Sequence, residues 1–169
     1  MANVKDNFVP WLRDARAMES QAVELLEKQA PRLDNYPQLQ ARIRQHLEET
    51  HRQAEMLDRC LERYGTDRSM IKEAITKIGG TLQALWPSMS SDEVVKGAIT
   101  GYAFEHWEIG NYRALIAAAD ELGDMETKRV LQEILQQEEA MASFLEQHLP
   151  DTTREFLRRD ARSEAGAKA

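Results

Sequence analysis

The sequence has little of what extracellular, membrane and nucleic-acid-binding proteins need. Cys60 is the only cysteine among 169 residues, so no disulfide can form within the chain. No apolar run approaches the roughly 18 residues that predict a membrane span. Residues 1–20 lack the apolar core of a secretory signal. A net charge of −7 leaves little basic surface for a phosphate backbone. We therefore expect a cytoplasmic protein that binds neither nucleic acid nor membranes.

Familiar motifs of enzyme chemistry are missing as well. The chain has no glycine-rich phosphate loop and no Gly-x-Ser-x-Gly elbow for a serine nucleophile. Cys60 lies among apolar helical positions, so we interpret it as a small core residue rather than a nucleophile. These absences leave open whether the protein is an enzyme.

Apolar residues recur with the 3.6-residue period of a helix in four long stretches. The predicted helices cover about 4–33, 37–64, 90–122 and 125–149. Short breaks near 34–37 and 123–124 predict two antiparallel pairs, and the long segment 65–91, with room for a short helix, joins them. This plan predicts an all-α protein, a ferritin-like four-helix bundle with one long crossover and short extra helices.

The predicted domain organisation is simple. Residues 1–150 form the ferritin-like four-helix bundle. The fourth helix is expected to end at about residue 149, just before Pro150. Residues 151–169 are expected to form a short C-terminal helix and a disordered tail.

Carboxylates interrupt the apolar stripes of the predicted helices. Glu19, Glu105 and Glu138 lie within the stripes, Glu108 lies nearer an edge and Glu49 lies on a flank. Spacings of 30 residues across each short break place Glu19 opposite Glu49 and Glu108 opposite Glu138. Converging carboxylates repel one another unless protons or cations compensate them. A divalent metal with a preference for oxygen, such as Fe or Mn, is the simplest compensation.

Histidines supply a weaker part of the pattern. Bundle metal sites combine glutamates with Glu-x-x-His motifs, and the string Glu48-Glu49-Thr50-His51 contains one. A helical wheel turns Glu48 outward and points His46 toward the bundle interior better than His51. Both histidines remain candidate metal ligands, and the alternative for each is an exposed position on the surface or rim. The alternative for the inward glutamates is pairing with Arg16, Arg113 or tyrosine hydroxyls.

Several strings of the sequence resemble the bacterial YciE/YciF family of ferritin-like proteins, with the YciE branch nearest. They are AMESQ (17–21), DNYPQLQARIRQHLEET (34–50), VVKGAITGYAFEHWEIGNY (94–112) and ILQQEEAMASFLEQHLP (134–150). The resemblance implies a ferritin-like bundle, a homodimer and a link to stress. It implies metal-site carboxylates at Glu19, Glu49, Glu105, Glu108 and Glu138. Many relatives have a histidine where this chain has Gln53, which weakens the expectation of a dinuclear site.

Two hypotheses of function follow from these patterns. The first is a stress-associated protein that binds one or two ions of Fe or Mn. Its task would be the handling of metal or of a small oxidant. The second is a dimeric helical scaffold without catalysis, in which the buried glutamates are relics of a lost metal site.

Overall fold

A computed structural model describes residues 3–66, 69–71, 73–74 and 92–167, and within these ranges no residue lies in a strand. The four long helices are α1 (Val4–Gln29), α2 (Pro37–Arg63), α3 (Glu93–Leu122) and α4 (Met125–Ala167). One 3-10 turn, Ala30–Arg32, follows α1. The prediction of an all-α protein is confirmed, and three of the four helices begin and end within a few residues of the predicted positions.

Contacts between helices give the direction of each one. Arg32 beyond α1 pairs with Glu93 at the start of α3, so α1 and α3 are antiparallel. Arg63 at the end of α2 bonds to Thr127 at the start of α4, so these two are antiparallel as well. The short turns make α1 antiparallel to α2 and α3 antiparallel to α4. Consequently α2 and α3 run in the same direction, and the expected bundle with one long connection is confirmed.

Little of that long connection belongs to the described part of the chain. Residues 69–71 and 73–74 are helical. The rest of the short helix predicted within 65–91 lies outside the described residues. None of the described helices is long and apolar enough to cross a membrane.

The break between α3 and α4 forms as its sequence predicts. Gly123 adopts a positive φ of 69°, a backbone conformation that glycine tolerates better than other residues. The N–H of Asp124 then bonds back to the carbonyl of Ala119. The side chain of Asp124 accepts hydrogen bonds from the N–H and the hydroxyl of Thr127. This local chemistry ends one helix and starts the next within two residues.

The fourth helix differs from the prediction. It does not end before Pro150 but continues through it to Ala167, so the expected separate C-terminal helix is wrong. A proline inside a helix removes one hydrogen bond and crowds the preceding turn. Packing of the next turns offsets that cost, because Thr152 is buried and Phe156 packs against the cluster that contains Leu33 and Tyr36.

Two apolar clusters of described residues pack inside the bundle. One cluster contains Phe8, Leu12, Leu57, Leu61, Tyr112 and Leu131. The other contains Leu26, Ile43, Val94, Met141 and Leu145. Along every helix, the residues between the two clusters include buried polar side chains. The core is therefore divided by a polar layer near the middle of the bundle.

Candidate metal centre

The polar layer combines side chains from all four helices. It consists of Glu19 on α1, His46, Thr50 and Gln53 on α2, Glu105, Glu108 and Tyr112 on α3, and Glu138 on α4. None of these residues is more than 4% exposed. The α2 and α3 residues follow spacings of three and four, which place them on one face of each helix. The bundle thus brings four glutamates, one histidine and one tyrosine into a buried space.

His46 lies at the meeting point of three helices. Its Nε2 atom is 3.4 Å from Oε1 of Glu105 and 3.5 Å from Oε2 of Glu138. One ligand atom from each of these three buried residues lies within 4.8 Å of the others. An imidazole nitrogen and carboxylate oxygens are ligands that iron and manganese accept in proteins. This cluster can hold a metal ion.

The other nitrogen of His46 contacts Glu49. Nδ1 of His46 lies 3.2 Å from Oε2 of Glu49. The same carboxylate accepts hydrogen bonds from Arg42 at 3.0 Å and Gln45 at 2.8 Å. Although burial opposes the charge, the donors from His46, Gln45 and Arg42 lower the pKa of Glu49 to about 2. Glu49 is therefore ionised at the edge of the layer, on the side of His46 away from Glu105 and Glu138.

The charge of His46 follows from its neighbours. Burial alone would lower the pKa of an imidazole, but the Glu105 carboxylate and the Glu49 and Glu138 carboxylates favour the charged ring. Together they raise the pKa of His46 to about 10. The protonated imidazole is therefore the cation of this cluster at neutral pH.

Two neutral donors each occupy one oxygen of a glutamate. The hydroxyl of Tyr112 donates a hydrogen bond to Oε1 of Glu19. The amide of Gln53 donates to Oε1 of Glu138 at 2.5 Å and to Gln137 at 2.8 Å. Each donor fixes the orientation of its carboxylate and leaves the second oxygen without a hydrogen bond.

The layer contains more acceptors than donors. Five of its buried oxygens have no hydrogen-bond partner, namely Oε2 of Glu19, Oε1 of Gln53, Oε2 of Glu105, Oε1 of Glu108 and Oε2 of Glu138. A buried polar atom without a partner costs about 1–3 kcal/mol, so protons or a cation must compensate several of these oxygens. The nitrogen and oxygen atoms of the layer are therefore suitable ligands for a divalent ion.

Protons compensate the carboxylates when no ion is bound. Burial raises the pKa of Glu19 to about 7, against the lowering effect of the Tyr112 hydroxyl and of His46. Burial, followed by repulsion from Glu138 and Glu19, raises the pKa of Glu108 well above its usual value. Burial also raises the pKa of Glu138, although His46 opposes the shift. The layer holds protons at pH values at which exposed glutamates have lost them.

The predicted site residues separate into three groups in the structure. Glu19, Glu105, Glu108, Glu138 and His46 are buried together, while Glu49 lies at the edge and His51 is exposed. Glu108 was expected nearer an edge than Glu105, yet only 1% of Glu108 is exposed. The reason is that the buried stripe of α3 is rotated relative to the predicted one, which leaves Ile99 half exposed.

The alternative partners that the sequence suggested are present only in part. Tyr112 does pair with Glu19, but Arg16 binds Asp58 and Arg113 binds Glu139. Sequence reasoning did not identify Gln53 as a partner of Glu138. A signal for it was available, since Gln53 follows His46 by seven residues and so lies on the same helical face.

Known proteins are similar to this chain in fold and in sequence. Residues 3–158 match the family described as "Domain of unknown function (DUF892)". Protein YciF of Escherichia coli K12 is 31% identical over 144 residues, which cover 83% of this chain and 86% of YciF. Among solved structures, a Xanthomonas campestris protein is 37% identical with a TM-score of 0.79, over 94% of this chain and 99% of that protein.

A further solved structure shows the same fold at lower identity. The Escherichia coli stress protein YciF superposes with a TM-score of 0.70 at 24% identity, over 91% of this chain and 99% of that one. The expected nearness to the YciE branch stays a prediction. The family match spans nearly the whole chain, from the capping residue of α1 to the C-terminal part of α4. The chain therefore belongs to the DUF892 family, which the sequence resemblance to YciE and YciF predicted.

Proposed function

We propose that this chain is a ferritin-like, stress-associated protein that binds iron or manganese in the polar layer of its bundle. The observation that carries the proposal is the surplus of buried oxygens beside His46. Five oxygens without a donor lie in one layer, and a divalent cation satisfies several of them at once. Ordinary core packing does not account for this surplus, because an apolar core would avoid the cost of burying these groups.

The residues of the layer have distinct tasks in this proposal. His46, Glu105 and Glu138 bind the ion, and the free oxygens of Glu19 and Glu108 are further ligands within the same layer. Tyr112 and Gln53 hold two of the carboxylates in place. The apolar clusters above and below exclude bulk water. A bound iron or manganese ion would supply redox chemistry toward oxygen or peroxide.

The association with stress rests on relatives. YciF of Escherichia coli is called a stress protein in the description of its structure, and this chain is 31% identical to curated YciF. We extend that association to this chain, together with a location in the cytoplasm.

A second candidate function, a dimeric scaffold, is favoured by the outer face of α3. Ile99 is 50% exposed and Trp107 is 44% exposed on this face. Ala103, Gly110 and Ala114 lie between and beyond them at spacings of three and four residues, and all three are exposed. A continuous apolar stripe on a helix surface is typical of a protein interface. We propose that it is the contact between two copies of the chain, whether or not metal binds.

Metal content tests the first function directly. The protein is purified from cells grown with added iron or manganese, and bound metal per chain is measured by mass spectrometry. We expect about one equivalent or more of iron or manganese, and a loss of most of it in Glu138→Gln. Glu133→Gln is the matched control, because Glu133 is exposed on the same helix.

A protein without bound metal would favour the scaffold function over metal binding. Less than about 0.1 equivalents in the wild type, unchanged in Glu138→Gln, would contradict metal binding. If Trp107→Glu then converts a dimer into a monomer in light scattering, the scaffold function is supported. A wild-type protein that is already a monomer contradicts the scaffold.

A further inference from the structure

Glu49 occupies a position that separates it from the other glutamates of the layer. Both of its oxygens accept hydrogen bonds, Oε1 from Gln45 and Oε2 from Arg42 and His46. The buried oxygens of Glu19, Glu105, Glu108 and Glu138 include one each without a partner, whereas none of those orphans belongs to Glu49. Its side chain is 12% exposed, compared with 1–5% for Glu105 and Glu138.

We propose that Glu49 is a positioning residue for His46 rather than a ligand of the metal. A carboxylate can only accept a hydrogen bond, so the contact to Glu49 requires the proton on Nδ1 of His46. The opposite nitrogen, Nε2, then points its lone pair toward Glu105 and Glu138 when the ring is neutral. Carboxylates that hold metal-binding histidines in this way fix the ring and increase its basicity.

Arg42 and Gln45 complete the arrangement. They lie one or two turns before Glu49 on α2 and hold its two oxygens separately. Because both oxygens are occupied, Glu49 cannot turn inward without losing two donors, and Arg42 would then keep its charge while only 13% exposed. The part of the inference that concerns the metal rests on the proposed function. The contact between Glu49 and His46 does not, because it can be measured without metal.

Three variants and two measurements test the inference. Glu49→Leu removes the acceptor, Glu49→Gln keeps an acceptor oxygen without the charge, and Glu48→Leu is the control on an exposed neighbour. Zinc, which is diamagnetic, serves as the probe ion in calorimetry. The Nδ1–H signal of His46 is followed by proton–nitrogen NMR, with and without zinc.

We expect zinc affinity to fall about 10–100-fold in Glu49→Leu and less in Glu49→Gln, with no change in Glu48→Leu. The hydrogen-bonded Nδ1–H signal should persist in Glu49→Gln and disappear in Glu49→Leu. An Nδ1–H signal that survives unchanged in Glu49→Leu overturns the inference, even if the wild type binds no metal. A large loss of affinity together with an unchanged signal also overturns it, since Glu49 would then act as a ligand.

The two proposals fail in different ways. A wild-type protein that binds no metal contradicts the proposed function, while the Nδ1–H signal of the metal-free protein still decides the role of Glu49. If Glu49→Leu does not fold, Glu49→Gln provides the decision. The inference is overturned if Glu49→Gln binds zinc as tightly as the wild type and neither Glu49→Gln nor the wild type shows an Nδ1–H signal.

Discussion

Nε2 of His46 and Oε2 of Glu138 lie 3.5 Å apart, joining α2 and α4 in the buried layer. The imidazole is the only cationic group within this layer among the described residues, so its removal leaves the carboxylates to be neutralised by protons alone. Removing one partner of a buried charged pair costs about 3–5 kcal/mol.

We therefore expect metal-free His46→Gln to lose about 3 kcal/mol of unfolding free energy in urea titrations at pH 7. His51→Gln should stay within about 0.5 kcal/mol of the wild type, because His51 is exposed on the same helix. Equal losses in the two variants would show that His46 does not compensate the carboxylates.

Tyr112 provides a second test that does not depend on metal. Its hydroxyl is buried and donates to Glu19, so Tyr112→Phe leaves Oε1 of that carboxyl group without a donor. We expect a loss of about 1–3 kcal/mol in unfolding free energy, measured by urea titration. Tyr102→Phe, at a partly exposed position on the same helix, is the control and should change little. No difference between the two variants would mean that the Tyr112 hydroxyl does not stabilise the layer.

The ionisation of Asp124 should make the unfolding free energy depend on pH in the acid range. Burial opposes its charge, but hydrogen bonds from Thr127 and Tyr64 and the charge of Arg63 lower its pKa from 3.8 to about 2. A carboxylate with a lowered pKa stabilises the fold above its unfolded pKa, and that contribution is lost as the pH falls through about 4 to 2. A shift of this size is worth about 2 kcal/mol.

We expect the wild type to exceed Asp124→Asn by roughly 2 kcal/mol at pH 6, with the difference shrinking toward pH 2. Asp120→Asn, at a more exposed position one turn earlier, is the control. Urea titrations at several pH values measure the differences. A gap between wild type and Asp124→Asn that stays constant down to pH 2 would contradict the role of the ionised carboxylate.

In the part of α4 beyond Pro150, we expect substitutions at two adjacent residues to differ in their effect on the unfolding free energy. Phe156 packs against the cluster that contains Leu33 and Tyr36, while Leu157 is 57% exposed. Phe156→Ala should lower the unfolding free energy by about 1–3 kcal/mol, because it removes buried apolar surface. Leu157→Ala should change it by less than about 0.5 kcal/mol. Equal effects in thermal and urea unfolding would show that this part of α4 does not pack on the bundle.

Sequence alone predicted the helices, their directions and most of the buried carboxylates. The 3.6-residue period and the Gly123-Asp124 break are local signals, and they determine local structure. Glu19, Glu105 and Glu138 were found because charges within an apolar stripe are conspicuous. Such information is available from one helix at a time.

What the sequence could not supply depends on contacts between helices. The rotation of α3 that buries Glu108 and exposes Ile99 is set by packing, which a wheel drawn for one helix does not include. The continuation of α4 through Pro150 depends on the contact of Phe156 with the turn after α1. The pairing of Gln53 with Glu138 joins residues 85 positions apart. Long-range packing decided all three.

The most direct test of the central claim is anomalous X-ray diffraction from crystals grown with iron or manganese, collected at the absorption edge of each metal. The account predicts an anomalous peak between Nε2 of His46 and the carboxylates of Glu105 and Glu138. It also predicts that the peak is absent in crystals of the Glu138→Gln variant. Wild-type crystals that show no peak in this layer, with His46 bonded directly to the carboxylates, would contradict it.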